Sequence, residues 1–127
     1  MSRPPRRISQ TGLYHIMVRG INHRNIFEEE ADYFRFLEVL REVKGIKGFK
    51  IFAYCLMTNH FHIFLKENEP GDISQIMHRL LTKYVGWFNR KYECSGSLVG
   101  NRYKSEPVEE DRYFVTLLRY IHQNPLR

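Results

Sequence analysis

The sequence predicts an α+β domain: an antiparallel sheet with helices packed on it, close to a ferredoxin-like plan. Three observations predict it. Residues 12–19 (GLYHIMVR) alternate with the period of two that a strand requires. Two β-branched and aromatic runs, 49–57 and 60–66, are separated by Thr58-Asn59 alone, which reads as a two-residue hairpin turn. Between and after them, apolar residues recur at helical spacing. The resulting order is strand, helix, two strands, helix, strand, helix. It contains a hairpin and no sustained series of parallel crossovers, so α+β is favoured over a doubly wound parallel fold.

In the first strand Tyr14, Ile16 and Val18 share one face, and Leu13, His15, Met17 and Arg19 share the other. His15 therefore points away from Tyr14, either toward a functional surface or into a satisfied core position. Residues 20–25 read as a loop, because Gly and Asn tolerate left-handed backbone angles and no period runs through them. From Ala31, Tyr33, Phe36, Leu37, Leu40 and Val43 recur at helical spacing, with Glu28, Glu29, Glu30 and Asp32 near the positive end of the helix dipole. Gly45 and Gly48 are expected to stop that helix. Asp72 or Ser74 is suited to cap a second helix, whose face is Ile73, Ile76, Met77, Leu80, Tyr84, Trp87 or Phe88, and Lys91. Its aromatic residues have the spacing of a core stripe rather than of a base-stacking platform. Residues 102–108 read as a short strand with Pro107 at a sheet edge or at the strand's end. Asp111 is placed to cap a third helix through about His122, and Pro125 cannot continue it.

With 127 residues and 43% of them hydrophobic, residues 1–127 are expected to form one domain around one core. No internal repeat or low-complexity linker divides them. The net charge of +6 is unevenly placed: residues 1–27 carry five Arg and no acid, and residues 79–104 carry six bases and one acid. Basic blocks interleaved with aromatic residues and Asn are what a polyanion-binding face needs, which makes nucleic acid the leading partner class. The longest apolar run, Phe52–Met57, is far short of the ~18–20 residues of a membrane span. The Arg-rich N-terminus leads into polar residues rather than a secretory segment, so a cytoplasmic protein is expected. Cys55 and Cys94 have neither CxxC spacing nor zinc-site companions, so reduced, non-catalytic thiols are expected.

Two segments can carry chemistry. In Asn59-His60-Phe61-His62, strand geometry puts His60 and His62 side by side while Phe61, Ile63 and Leu65 point into the core. Two imidazoles so placed can share a metal ion, although a bare His-x-His is also what an accidental pair on a solvated strand looks like. In Tyr120-Ile121-His122-Gln123-Asn124-Pro125, Tyr120 and Asn124 are neighbours on one helix face, while Ile121 joins Phe114, Leu117 and Leu118 in a buried stripe.

Taken together, YHIMVRGINHRNIF, YCLMTNHFHIFL and RYIHQNP resemble the single-tyrosine HUH transposases, insertion-sequence 200-like, and within them the REP-associated tyrosine transposases. HUH denotes His-hydrophobe-His, met by His60, Phe61 and His62. The resemblance spans nearly the whole chain and implies that His60, His62 and Asn124 are metal ligands and that Tyr120 is the nucleophile. It implies a divalent cofactor, Mg²⁺ or Mn²⁺, and a single-stranded DNA substrate bearing a hairpin. A monomer or a homodimer is compatible with it, and relatives commonly continue beyond a point equivalent to Arg127, so a C-terminal truncation is allowed. Attack by a phenol on a phosphodiester needs the phosphate charge offset, which a cation held by neutral ligands provides.

On this reading Arg19, Asn22, His23, Arg24 and Asn25 after the first strand, with Arg3, Arg6, Arg7, Arg102 and Lys104, bind DNA. Arg79, Lys83, Arg90 and Lys91 either extend that surface or form a solvated helix face. Two rivals from other classes remain: a hairpin-binding module that does not cut, and a metal hydrolase using water in place of a tyrosine.

Overall fold

The computed structural model describes residues 8–100 and 103–108. The elements run β1 (Leu13–Arg19), α1 (Glu30–Lys47), β2 (Lys50–Met57), β3 (His60–Lys66), α2 (Asp72–Lys91) and β4 (Lys104–Pro107), with a 3-10 turn at Ile21–His23. The sheet order is β2-β3-β1-β4, and each neighbouring pair is antiparallel. This is the α+β, ferredoxin-like plan that the sequence predicts. The third helix expected near 111–122 lies outside the described residues. No helix among the described residues is long and apolar enough to cross a membrane.

The period-two pattern decides which face of the sheet the helices cover. Tyr14, Ile16 and Val18 lie opposite Leu65, Ile63 and Phe61, and all six are buried in the main core. Phe36, Val39, Leu40 and Val43 of α1 and Ile76, Met77, Leu80 and Tyr84 of α2 close over them. The other face carries a smaller apolar cluster, Ala53, Cys55, Phe64 and Val108, which the sequence pattern alone did not separate from the main core. A bulge between Ile51 and Ala53 shifts the β2 register and puts Ala53 and Cys55 on that second face.

Gly48 ends α1 in the left-handed conformation (φ 69°), as expected, whereas Gly45 is accommodated inside the helix. A lone Gly costs a helix about 1 kcal/mol, which the buried stripe offsets. Neither Asp72 nor Ser74 caps α2; the helix follows Gly71, and the Glu67 carboxylate accepts the Ile73 N–H at 3.0 Å. The two helices are tied together at Asp32, which is fully buried and accepts from Lys91 Nζ (2.6 Å), Tyr92 Oη (2.6 Å) and the Glu28 N–H (2.9 Å). Burial pushes the Asp32 carboxyl up, but these bonds outweigh it and hold it below its ordinary value. Lys91 also pairs with Glu29, so this base belongs to the helix layer.

Candidate metal and nucleic-acid site

Strand β3 presents His60 and His62 on the face away from the helices, ring centroids 5.4 Å apart and nearly perpendicular at 83°. His62 is not on a solvated surface: it is only 6% exposed. Each imidazole has a partner on Nδ1. His60 Nδ1 is 2.9 Å from Asn59 Oδ1. An amide oxygen can only accept, so His60 carries its proton on Nδ1 and its lone pair on Nε2. His62 Nδ1 is 3.0 Å from His15 Nε2. Those two rings are parallel within 6° with centroids 5.2 Å apart. That is the spacing of two imidazoles lying edge to edge, so the contact is an in-plane hydrogen bond and not a face stack.

Burial and the neighbouring His15, His60 and Arg19 push His62 down from its ordinary 6.5 to about 4. Burial, helped by Arg19, also lowers His60, and burial lowers His15 against the opposing pull of Glu106. Neutral imidazoles can take a cation without first losing a proton. Engagement of the second ring nitrogen is also the usual setting of a metal-bound histidine. The pair thus fits a divalent ion as two of its ligands. Among the described residues no group of three or more His, Cys, Asp or Glu is arranged to hold one, so the pair would need further donors from elsewhere. Cys55 lies opposite His62, but burial pushes its thiol up, and it donates to Met57 Sδ at 3.6 Å.

Arg19 stands opposite His60 in the β1–β3 register and is exposed. It lines a cleft of about 280 Å³ with Gly20, His23, Asn59 and His60, and a second of about 110 Å³ with Met17, Val18, Gly100 and Lys104. The loop after β1 is fixed by its backbone: Gly20 N–H donates to Asn59 O (2.8 Å), Ile21 N–H to Leu98 O (3.0 Å), and Ile26 N–H to Thr58 O (2.9 Å). Asn22 and His23 adopt the left-handed conformation (φ 52° and 62°). Gly20 is extended (φ −63°), and its need for glycine is steric, since a Cβ there would sit 1.9 Å from Arg24 O.

Of the residues expected to bind DNA, Arg19, His23 and Lys104 are therefore gathered beside the histidine pair, with Asn22 exposed nearby in the same loop. Arg24 and Asn25 are engaged elsewhere: the Arg24 guanidinium lies over Phe88 and bonds Cys94 Sγ at 3.2 Å, and Asn25 bonds Glu28 at 3.1 Å. Tyr120, Asn124, Arg3, Arg6, Arg7 and Arg102 lie outside the described residues. Among the described residues, a groove of about 790 Å³ lies away from the histidines, between α1 and α2, where Lys83 pairs with Glu42. His15, Asn59 and Glu106 acquire positions at the site that motif spacing did not assign them.

The sequence matches the model of IS200-like transposases over residues 9–124. The chain belongs to the IS200-like transposase family. Membership implies DNA cleavage and joining. No curated protein matches the chain in sequence. Among solved structures it is similar to a REP-associated tyrosine transposase bound to a REP hairpin, with a TM-score of 0.82 and 18% identity over 98% of this chain and 73% of that one. It is also similar to a candidate transposase from Deinococcus radiodurans R1, with a TM-score of 0.60 and 16% identity over 100% of this chain and 98% of that one. At these identities the two structures establish a shared transposase fold.

Proposed function

We propose that this chain is a metal-dependent single-strand DNA endonuclease and strand transferase acting at hairpin-bearing repeat or transposon ends. The observation that carries the reading is the neutral His60–His62 pair, each imidazole engaged through Nδ1, beside the Arg19 cleft in a chain of this family. His60 and His62 would hold Mg²⁺ or Mn²⁺ together with Asn124. The bound ion would act as a Lewis acid that offsets charge on the scissile phosphate.

Tyr120 Oη attacks the phosphorus and gives up its proton, the new Oη–P bond forms, and the P–O3′ bond breaks. The departing oxygen takes a proton to become a free 3′-OH, and a 5′-phosphotyrosine remains. The phosphoryl linkage is conserved, so attack by another 3′-OH rejoins the strand without ATP. Arg19 and Lys104 hold the backbone phosphates, while Asn22 and His23 reach the bases. Hairpin DNA as the substrate class is supported by the similar fold bound to a REP hairpin. The protein works in the cytoplasm, as a monomer or a homodimer.

The test is incubation with Mn²⁺ and single-stranded hairpins taken from DNA flanking its own gene. A covalent adduct resolved on a denaturing gel is expected from the unmodified chain and not from Tyr120→Phe, with His60→Ala and His62→Ala at least 100-fold impaired. An undiminished adduct in Tyr120→Phe removes the tyrosine from the chemistry. Tight hairpin binding with no adduct under any divalent ion assigns the chain to non-catalytic hairpin-binding modules.

A further inference from the structure

Strand pairing places three side chains in a row on the face that carries the histidine pair. His15 lies directly opposite Glu106 in the β1–β4 register, and Met17, its neighbour on the same face, lies opposite His62. His15 Nε2 is 3.0 Å from His62 Nδ1, and His15 Nδ1 is 4.0 Å from Glu106 Oε2. An N–H···N bond between two neutral imidazoles has two polarities with opposite chemical consequences. If His15 donates through Nε2–H, His62 must carry its own proton on Nε2, where it cannot bind a cation. If His62 donates through Nδ1–H, its Nε2 keeps a lone pair, and His15 must carry its proton on Nδ1. Glu106 faces that Nδ1, and its negative charge favours the second arrangement, although 4.0 Å makes this an electrostatic bias rather than a direct hydrogen bond.

We propose that His15 and Glu106 are positioning residues that set the tautomer of His62: Glu106 holds the His15 proton on Nδ1, His15 Nε2 accepts the His62 Nδ1–H, and His62 Nε2 is thereby kept as a metal-binding lone pair. The inference rests on the metal-binding reading of the pair. It makes the two ligands unequal: His60 takes its tautomer from the adjacent Asn59 in the hairpin turn, and His62 takes it from two strands across the sheet. His15 has both nitrogens directed at partners, which makes it a support for a ligand and not a ligand itself.

Two measurements test this, and they fail separately. The first is the ¹⁵N spectrum of the imidazoles in metal-free protein near pH 7.5. His62 is expected to be protonated on Nδ1 in the unmodified chain and to lose that preference in His15→Ala. An Nε2-protonated His62 in the unmodified chain overturns the proposal, and this readout needs neither metal binding nor activity. The second is Mn²⁺ affinity by titration calorimetry. His15→Ala is expected to weaken it about 10–100-fold. His15→Gln, which restores an acceptor oxygen, is expected to recover most of the loss, and Glu106→Gln to weaken binding several-fold. Equal loss in His15→Ala and His15→Gln, or unchanged affinity in His15→Ala, overturns the relay. If the unmodified chain binds no Mn²⁺ through His60 and His62, the metal reading falls, while the spectrum still decides the tautomer.

Discussion

The two faces of the sheet are built from the same strands and solve opposite problems. On the helix face, Ile16, Val18, Phe61 and Ile63 are sealed beneath α1 and α2, and the rings of Phe27, Phe36, Phe61 and Tyr84 interlock. The fully buried carboxylate of Asp32 is held there by Lys91, Tyr92 and the Glu28 N–H, so that face stores stability. On the opposite face, His15, His60 and His62 are partly or wholly withdrawn from water yet uncharged, and they are oriented by one another and by Asn59. Its polar groups are positioned for chemistry. A single alternation along β1 and β3 therefore separates what keeps the chain folded from the face proposed to act.

The largest effect is expected from breaking the first face. Phe36→Ala removes a fully buried ring and should cost about 3–5 kcal/mol in urea unfolding, while the His62 tautomer in the remaining folded protein is unchanged. A change at His62 would show that the faces are not independent. Acid should then separate them. The unfolded chain protonates His62 near pH 6.5 and the folded chain only near 4, so below 6.5 the unfolded state binds more protons. Stability fully present above pH 6.5 is therefore lost progressively as pH falls toward 4. The contribution of Asp32, whose folded value is depressed, is lost only below the ordinary carboxylate value of 3.8. Urea midpoints in metal-free buffer at pH 7.5, 4.5 and 3 should fall in two stages. A flat profile between 7.5 and 4.5 contradicts the withdrawal of His62 from water.

The smallest change in stability, within about 0.5 kcal/mol, is expected for Arg19→Ala and Lys83→Ala, which alter exposed bases on opposite sides of the sheet. Their effects on hairpin DNA should diverge. Arg19→Ala should weaken binding and flatten its salt dependence by about one counterion. Lys83→Ala should do neither, because Lys83 is paired with Glu42 in the helix layer. Equal losses would extend the DNA surface around the molecule.

Much of the helix face was legible in the sequence, because burial writes a period into the chain. The apolar stripes of both helices follow from periodicity, and the bounds of β3 from the aromatic and β-branched run that begins after Thr58-Asn59. The pairing of His60 with His62 was legible for the same reason. The relay was not, because the contact of His15 with His62 depends on the register of β1 against β3, and Glu106 on that of β4. Charge was legible in number and not in use: Lys91 and Lys83 raise the basic count of their segment, yet each is committed to an acid on α1. The caps of α2 misled because the helix starts one residue earlier, after Gly71, so Asp72 lies inside it and its carboxylate accepts the Glu69 N–H instead.

The loop after β1 behaves as an exchangeable cassette. Its ends are bolted by main-chain bonds to residues 58, 59 and 98, which side-chain replacement at 22 and 23 leaves intact. Variation at those two positions is filtered by their left-handed backbone, which admits Gly, Asn and Asp far more readily than branched residues. Gly20 is closed to variation altogether, for want of room beside Arg24 O. A library that holds Gly20 fixed and samples this short alphabet at 22 and 23 tests the proposed DNA-reading role of the loop without disturbing His60 and His62.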